Sequence, residues 1–105
     1  MEVLFKTTEL EMLYETGRGT GKPKFPNEAI KQYKRKIDLL IAIDSLNDLN
    51  RYRSLNFEAL KGNRKGEYSI RLNKQFRLIF EPHDETGQTL TINIILINEI
   101  SKHYE

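Results

Sequence analysis

The chain has no cysteine, which removes disulfide frameworks, thiolate zinc sites and thiol nucleophiles from the possible chemistry. Its two histidines, His83 and His103, stand too far apart in sequence to make a recognisable metal motif, so neither a metal nor a cofactor is expected. Long apolar runs are missing too. Met1 to Phe5 is too short for a signal peptide or a membrane span, and later apolar stretches are broken by charges, so we expect a cytoplasmic protein without a membrane partner. There is no internal repeat and no low-complexity segment. At 105 residues the expectation is a single domain, 1–105, with one sheet and helices on one side. Glycine clusters in Gly17-Arg18-Gly19-Thr20-Gly21-Lys22-Pro23, but a phosphate loop needs a glycine at position 16 and a Ser or Thr at position 23. Those positions hold Thr16 and Pro23, so the segment reads as a surface loop.

Positive charge, in contrast, is concentrated. The formal net charge is only +2, yet from Arg18 to Arg77 fifteen basic residues outnumber six acidic ones, while both flanking segments are net acidic. A polyanionic partner is the reading that such a middle supports.

The most informative stretch is Ser54 to Glu81. Tyr68, Ile70 and Leu72 alternate with polar residues, as do Phe76, Leu78 and Phe80, the period of strands with one buried face. Only a three-residue turn, Asn73-Lys74-Gln75, pairs Leu72 with Phe76, Ile70 with Leu78 and Tyr68 with Phe80 on a common face. That register sets Arg71 opposite Arg77 on the other, polar face, where neither adds much packing. Like charges opposed across strands repel, so the arrangement calls for a carboxylate or a phosphate between them.

Around this hairpin, Glu2 to Lys6 reads as a first strand and Thr8 to Glu15 as a short helical turn made by Leu10, Leu13 and Tyr14. Pro26 and Asn27 supply a helix start, Asn27 as the cap. Ile30, Tyr33, Ile37, Leu40 and Ile41 then share one face, with Lys31, Lys34, Arg35 and Lys36 largely off it. Tyr33 belongs to the core. A second short helix is expected from Ser45, with Asp48 completing a capping box, and these two helices should form a hairpin over the sheet. Asp84 to Gln88 reads as a turn. Thr89 to Ile97 is rich in β-branched residues and reads as a strand buried on both faces, ending at Ile97.

Leu60-Lys61-Gly62, the basic linker after it, Tyr68-Ser69-Ile70-Arg71, the three-residue turn and Phe76-Arg77-Leu78-Ile79-Phe80 together resemble the central block of the HigB-type toxins, of the RelE/ParE toxin–antitoxin superfamily. The ending Glu99-Ile100-Ser101-Lys102-His103-Tyr104-Glu105 is similar to the family's terminal segment, where a His and a Tyr stand close together. The resemblance runs from Pro26 to Glu105.

It implies an α+β, RelE-like (microbial-ribonuclease-like) fold: an N-terminal strand and a two-helix hairpin packed on an antiparallel sheet. It also implies ribosome-dependent, metal-free cleavage of mRNA, neutralised by a cognate antitoxin of the helix-turn-helix HigA type. In such cleavage the ribose 2′-OH attacks its own phosphodiester, so a proton must leave, another must reach the 5′ oxygen, and an anionic phosphorane must be stabilised. Arg71 and Arg77 fit the last role, with Lys61 as a phosphate contact or proton-transfer group. Many HigB-type proteins carry a His three residues before this lysine, and here Glu58 stands in its place as a possible general base. His103 is the better titratable group, and Tyr104 can stack on a base. Arg64, Lys65 and Lys74 are expected to touch the RNA backbone. His83, beside Pro82, reads as surface, and Arg51 and Arg53 carry weaker expectations. Two alternatives stay open: a ParE-like toxin acting on DNA gyrase, and a catalytically silent RNA- or antitoxin-binding module.

Overall fold

Strand β1, Glu2–Phe5, lies parallel to the last strand of the chain, with Glu2 opposite Ile94 and Phe5 opposite Ile97. The computed structural model describes residues 1–83 and 94–102. The elements between are helix α1 (Thr8–Thr16), helix α2 (Asn27–Ala42), 3-10 turns at Leu46–Arg51 and Arg53–Leu55, β2 (Glu58–Ala59), a 3-10 turn at Gly62–Arg64, β3 (Tyr68–Arg71), β4 (Phe76–His83) and β5 (Ile94–Lys102). The five strands are ordered β1-β5-β4-β3-β2. All pairings except β1 with β5 are antiparallel, so the sheet is mixed rather than purely antiparallel.

α1 begins where the Thr7 hydroxyl accepts from the Leu10 amide at 3.2 Å and ends at Gly17, whose φ of 75° closes the helix through its amide to the Leu13 carbonyl. α2 starts after Pro26, and no side chain caps it; Asn27 is already helical and does not serve as the expected cap. Ala29, Tyr33, Ile37 and Leu40 of α2 are buried. Ile41, expected on that face, is 46% exposed, because it follows Leu40 by one position, about 100° around a 3.6-residue turn. Tyr33 is core as expected: fully buried, its hydroxyl donates to the Leu10 carbonyl at 2.7 Å, and burial pushes its phenol well above the usual tyrosine range.

The helical hairpin is formed by α1 and α2, not by α2 and a helix at Ser45. The Ser45–Asp48 capping box is present, with the Ser45 amide donating to the Asp48 carboxylate at 3.3 Å, but it opens a 3-10 segment. Leu46, Leu49, Tyr52 and Leu55 recur every third residue, which aligns them on a three-per-turn helix and not on an α-helix. Leu49 and Leu55 are buried there.

The β3–β4 register is the one the alternation predicts, including Arg71 opposite Arg77. The turn is held by Asn73, whose side-chain oxygen accepts from the amides of Gln75 and Phe76 at 2.8 and 2.9 Å. Ile70, Leu72, Phe76, Leu78, Phe80, Ile95 and Ile97 face the helices and complete the core with Leu10, Leu13 and the α2 face. β5 departs from expectation in two ways. It continues past Ile97 to Lys102, and only Ile95 and Ile97 are fully buried in it, since the helices cover one face of the sheet. The pairing slips between Ile79 and Phe80, so that Phe80 opposes Ile97 while Ile79 opposes Glu99. Asn98 is the extra residue of this bulge. The slip returns Ile100 to the core side, opposite Leu78, and sends Glu99 and Ser101 to the other face. The expected turn at Asp84 to Gln88 and the first part of the expected strand, Thr89 to Asn93, lie outside the described residues.

Candidate active site

The face of the sheet away from the helices carries two rows of paired residues. One row is Arg71, Arg77 and Ser101; the other is Glu58, Ser69, Ile79 and Glu99. Strand alternation alone puts Ser69 beside Arg71 and Ile79 beside Arg77. Placing Glu58 over them requires β2, a two-residue edge strand. It is steered there by its neighbours: Asn56 adopts a left-handed φ of 47°, which asparagine tolerates better than most residues. Phe57 then stacks on Tyr68 with ring centroids 5.4 Å apart and on Phe80 at 6.4 Å. With Phe57 held on the core side, Glu58 is turned to the open face.

There Arg77 and Glu58 meet. The Arg77 guanidinium reaches the Glu58 carboxylate at 3.1 Å and donates to the Asn56 carbonyl at 2.9 Å. Arg77 is buried, with only 8% of its surface exposed, and this corrects the expectation of a polar-face side chain that adds little packing. Its Nε and the Ser69 hydroxyl are buried with no hydrogen-bond partner among the described residues. Both residues line a concavity of ≈ 300 Å³, together with Glu58, Leu60, Arg64 and Lys102. The anticipated carboxylate is therefore present, but it serves Arg77 alone. Arg71 is exposed and its Nε donates to the Asn73 carbonyl at 3.2 Å.

Arg64, expected to touch RNA, is engaged within the protein. It pairs with Glu67 at 2.9 Å and also with Glu99, and the hydrogen bonds of these two carboxylates raise its already high pKa. The Arg64 hydrogen bond in turn holds the Glu67 carboxyl below its usual range, against the opposing effect of burial and with help from the Asn98 amide at 2.8 Å. The lock ties the Gly62–Arg64 turn to β5 and fixes one wall of the concavity. Lys61, Lys65 and Lys74 are exposed. Lys74 and Arg71 line a separate cleft beside α2, so the two arginines open onto different hollows. His103 and Tyr104 lie outside the described residues; Lys102, which precedes them, closes β5 opposite Phe76. Asn56, Ser69 and Ser101 were not singled out in the sequence, although Ser69 was legible as sharing a face with Arg71. The glycine loop lies against Glu9, whose carboxylate oxygen would be 2.9 Å from a side-chain carbon at Gly19. Lys24, just after the loop, is paired with Glu9 at 3.2 Å, which suits a surface loop rather than a phosphate cradle.

The model of the HigB family, described as the RelE-like toxin of type II toxin–antitoxin systems, matches residues 3–94. The chain belongs to the HigB-like family of RelE-type toxins. Toxin HigB-1 of Vibrio cholerae is 38% identical over 81 residues, spanning 77% of this chain and 83% of that one. A Haemophilus influenzae protein is 36% identical over 63 residues, spanning 60% of this chain and 62% of that one. Solved structures agree on the fold. A mutant of YafQ from E. coli has a TM-score of 0.58 at 13% identity, covering 96% of this chain and 91% of that one. YoeB in its complex with YefM from Staphylococcus aureus has a TM-score of 0.51 at 22% identity, covering 99% and 98%. The HigB-like chain is thus a toxin of the type II toxin–antitoxin class. Among its described residues no helix is long and apolar enough to cross a membrane.

Proposed function

We propose that this HigB-like toxin is a ribosome-dependent mRNA endoribonuclease, acting in the cytoplasm without a metal and neutralised by a cognate helix-turn-helix antitoxin. The observation that carries the reading is the buried Arg77, clamped between Glu58 and the Asn56 carbonyl, with its unpaired Nε and the Ser69 hydroxyl at the wall of an open concavity. A guanidinium fixed in this way is prepaid: it needs no reorganisation to stabilise a phosphorane, and its low-dielectric setting strengthens the interaction. Such clamping is more than a solvated surface arginine requires.

In the proposed reaction the scissile phosphate enters the concavity and takes a share of Arg77 from Glu58, whose side chain is half exposed and free to turn toward the ribose. Glu58 accepts the 2′-OH proton. The 2′ oxygen bonds to phosphorus and the P–O5′ bond breaks. A proton reaches the 5′ oxygen from His103, the better titratable group of the terminal segment, or from Lys61. The products are a 2′,3′-cyclic phosphate and a 5′-hydroxyl. Tyr104 stacks on a base, and Lys65 with Arg71 holds neighbouring phosphates.

Translating ribosomes incubated with the protein, followed by mapping of transcript ends and their chemistry, test this directly. Cleavage leaving 5′-hydroxyl ends is expected, and it is lost in Arg77→Gln. Intact transcripts, or 5′-phosphate ends made by the protein itself, overturn the reading, and inhibition of DNA gyrase in their place selects the ParE-like alternative.

A further inference from the structure

A second hollow, of ≈ 400 Å³, opens between α2 and the β3–β4 turn. Gln32 and Lys36 reach it from successive turns of α2, Ser54 from the 3-10 segment, Arg71 from the end of β3, and Asn73 and Lys74 from the turn. Three cations therefore converge from three separate elements, and among the described residues no carboxylate lines the hollow. None of the three is in an ion pair among the described residues. Lys36 is held by Gln32, its ammonium donating to the amide oxygen at 3.2 Å. Burial, with the neighbouring Arg35 charge, lowers its pKa. Gln32, Ser54 and Asn73 add neutral hydrogen-bonding groups suited to phosphate oxygens.

We infer that this hollow binds a backbone phosphate of single-stranded RNA, one position along the strand from the phosphate held at Arg77. Arg71 stands directly opposite Arg77 across β3 and β4, where Cβ atoms are about 4.5–5.5 Å apart, but it opens toward α2 rather than into the Arg77 concavity, so a single strand leaving Arg77 reaches this hollow by passing over the edge of the hairpin. Repulsion between the two arginines is then relieved by two anions, Glu58 or the scissile phosphate at one and the adjacent phosphate at the other. The inference rests on the nuclease reading for the direction of the strand, and it assigns Lys36 of α2 to substrate binding, far from the hairpin in sequence.

Amide chemical-shift mapping on the full chain tests it, with a non-cleavable 2′-O-methyl RNA trinucleotide titrated at fixed ionic strength. The amides of Ser54, Asn73 and Lys74 should move. Lys36→Gln combined with Lys74→Gln should weaken the trinucleotide about tenfold and reduce the slope of log affinity against log salt by about 0.7 for the phosphate lost. Unmoved amides at these positions, or unchanged affinity in the double variant, overturn the site. Equal movement with inorganic phosphate or with a tri-glutamate peptide overturns its assignment to an RNA strand. A protein that binds the trinucleotide here but leaves ribosome-bound mRNA intact loses the nuclease reading and keeps this site; one that cleaves mRNA without these shifts loses only the site.

Discussion

Glu58 and Arg77 pair at 3.1 Å with unequal exposure: the glutamate side chain is 50% exposed and the arginine 10%. The exposed partner is the carboxylate and the buried partner is the guanidinium. A site that must exchange a protein carboxylate for a substrate phosphate needs this asymmetry, because the leaving group returns to water at little cost while the arginine keeps its aim.

Arg77→Ala should abolish cleavage and also lower stability, by about 1–3 kcal/mol, through the unfilled space and the Asn56 carbonyl left without its donor. Chemical denaturation beside the transcript assay separates the two effects. Arg77→Lys should recover most of the stability and little of the activity, since an ammonium cannot serve the carboxylate and the carbonyl in the same fork. Recovery of full activity in Arg77→Lys would show that only charge matters.

Glu58→Gln should preserve the fold, being half exposed, and lower single-turnover cleavage by roughly 10²–10⁴-fold as expected for loss of a general base. A variant that cleaves at the parental rate would move the base role to another group.

The Arg64 lock predicts a pH dependence of stability. Glu67 titrates lower in the folded chain than its ordinary value of 4.5, so below that value the unfolded chain binds more protons. The stabilisation is complete above the unfolded pKa and drains away as pH falls through the lower folded one. Urea midpoints followed downward from neutrality should therefore drop more steeply for the parent than for Glu67→Gln, and Arg64→Met should flatten the curve in the same way.

Tyr33 should behave in the opposite sense. Its folded pKa lies above the ordinary 10.0, so the protonated phenol favours folding fully below that value, and the advantage is lost as pH rises beyond it. Spectrophotometric titration should show one of the five tyrosines resisting ionisation until the chain unfolds. Tyr33→Phe should remove that step and cost about 0.5–1.5 kcal/mol for the hydrogen bond to the Leu10 carbonyl.

The hairpin was legible in the sequence because its information is local. Alternation assigned faces to Tyr68, Ile70, Leu72, Phe76, Leu78 and Phe80, a turn of three residues was the only one that matched them, and Arg71 opposite Arg77 followed from counting. Tyr33 was legible as core for a similar reason, since the helical period places it between Ile30 and Ile37. The Leu46–Arg51 segment is a 3-10 turn and not the helix expected there, although its apolar spacing of three is present in the sequence.

What the tertiary structure alone decided is the different fate of the two arginines. Sequence made them equivalent, opposed on one face. Only the return of Asn56, Phe57 and Glu58 along the edge of β3 buries Arg77 and supplies its carboxylate, and only the approach of α2 sets Lys36 beside Arg71. The parallel pairing of β1 with β5 and the bulge at Asn98 are of the same kind. Each joins segments distant in the chain, and a local pattern fixes which face a residue shows but not which distant segment arrives to cover it. That choice belongs to the packing of the whole core, where burial of apolar area by all elements together selects one pairing among those that every strand allows by itself.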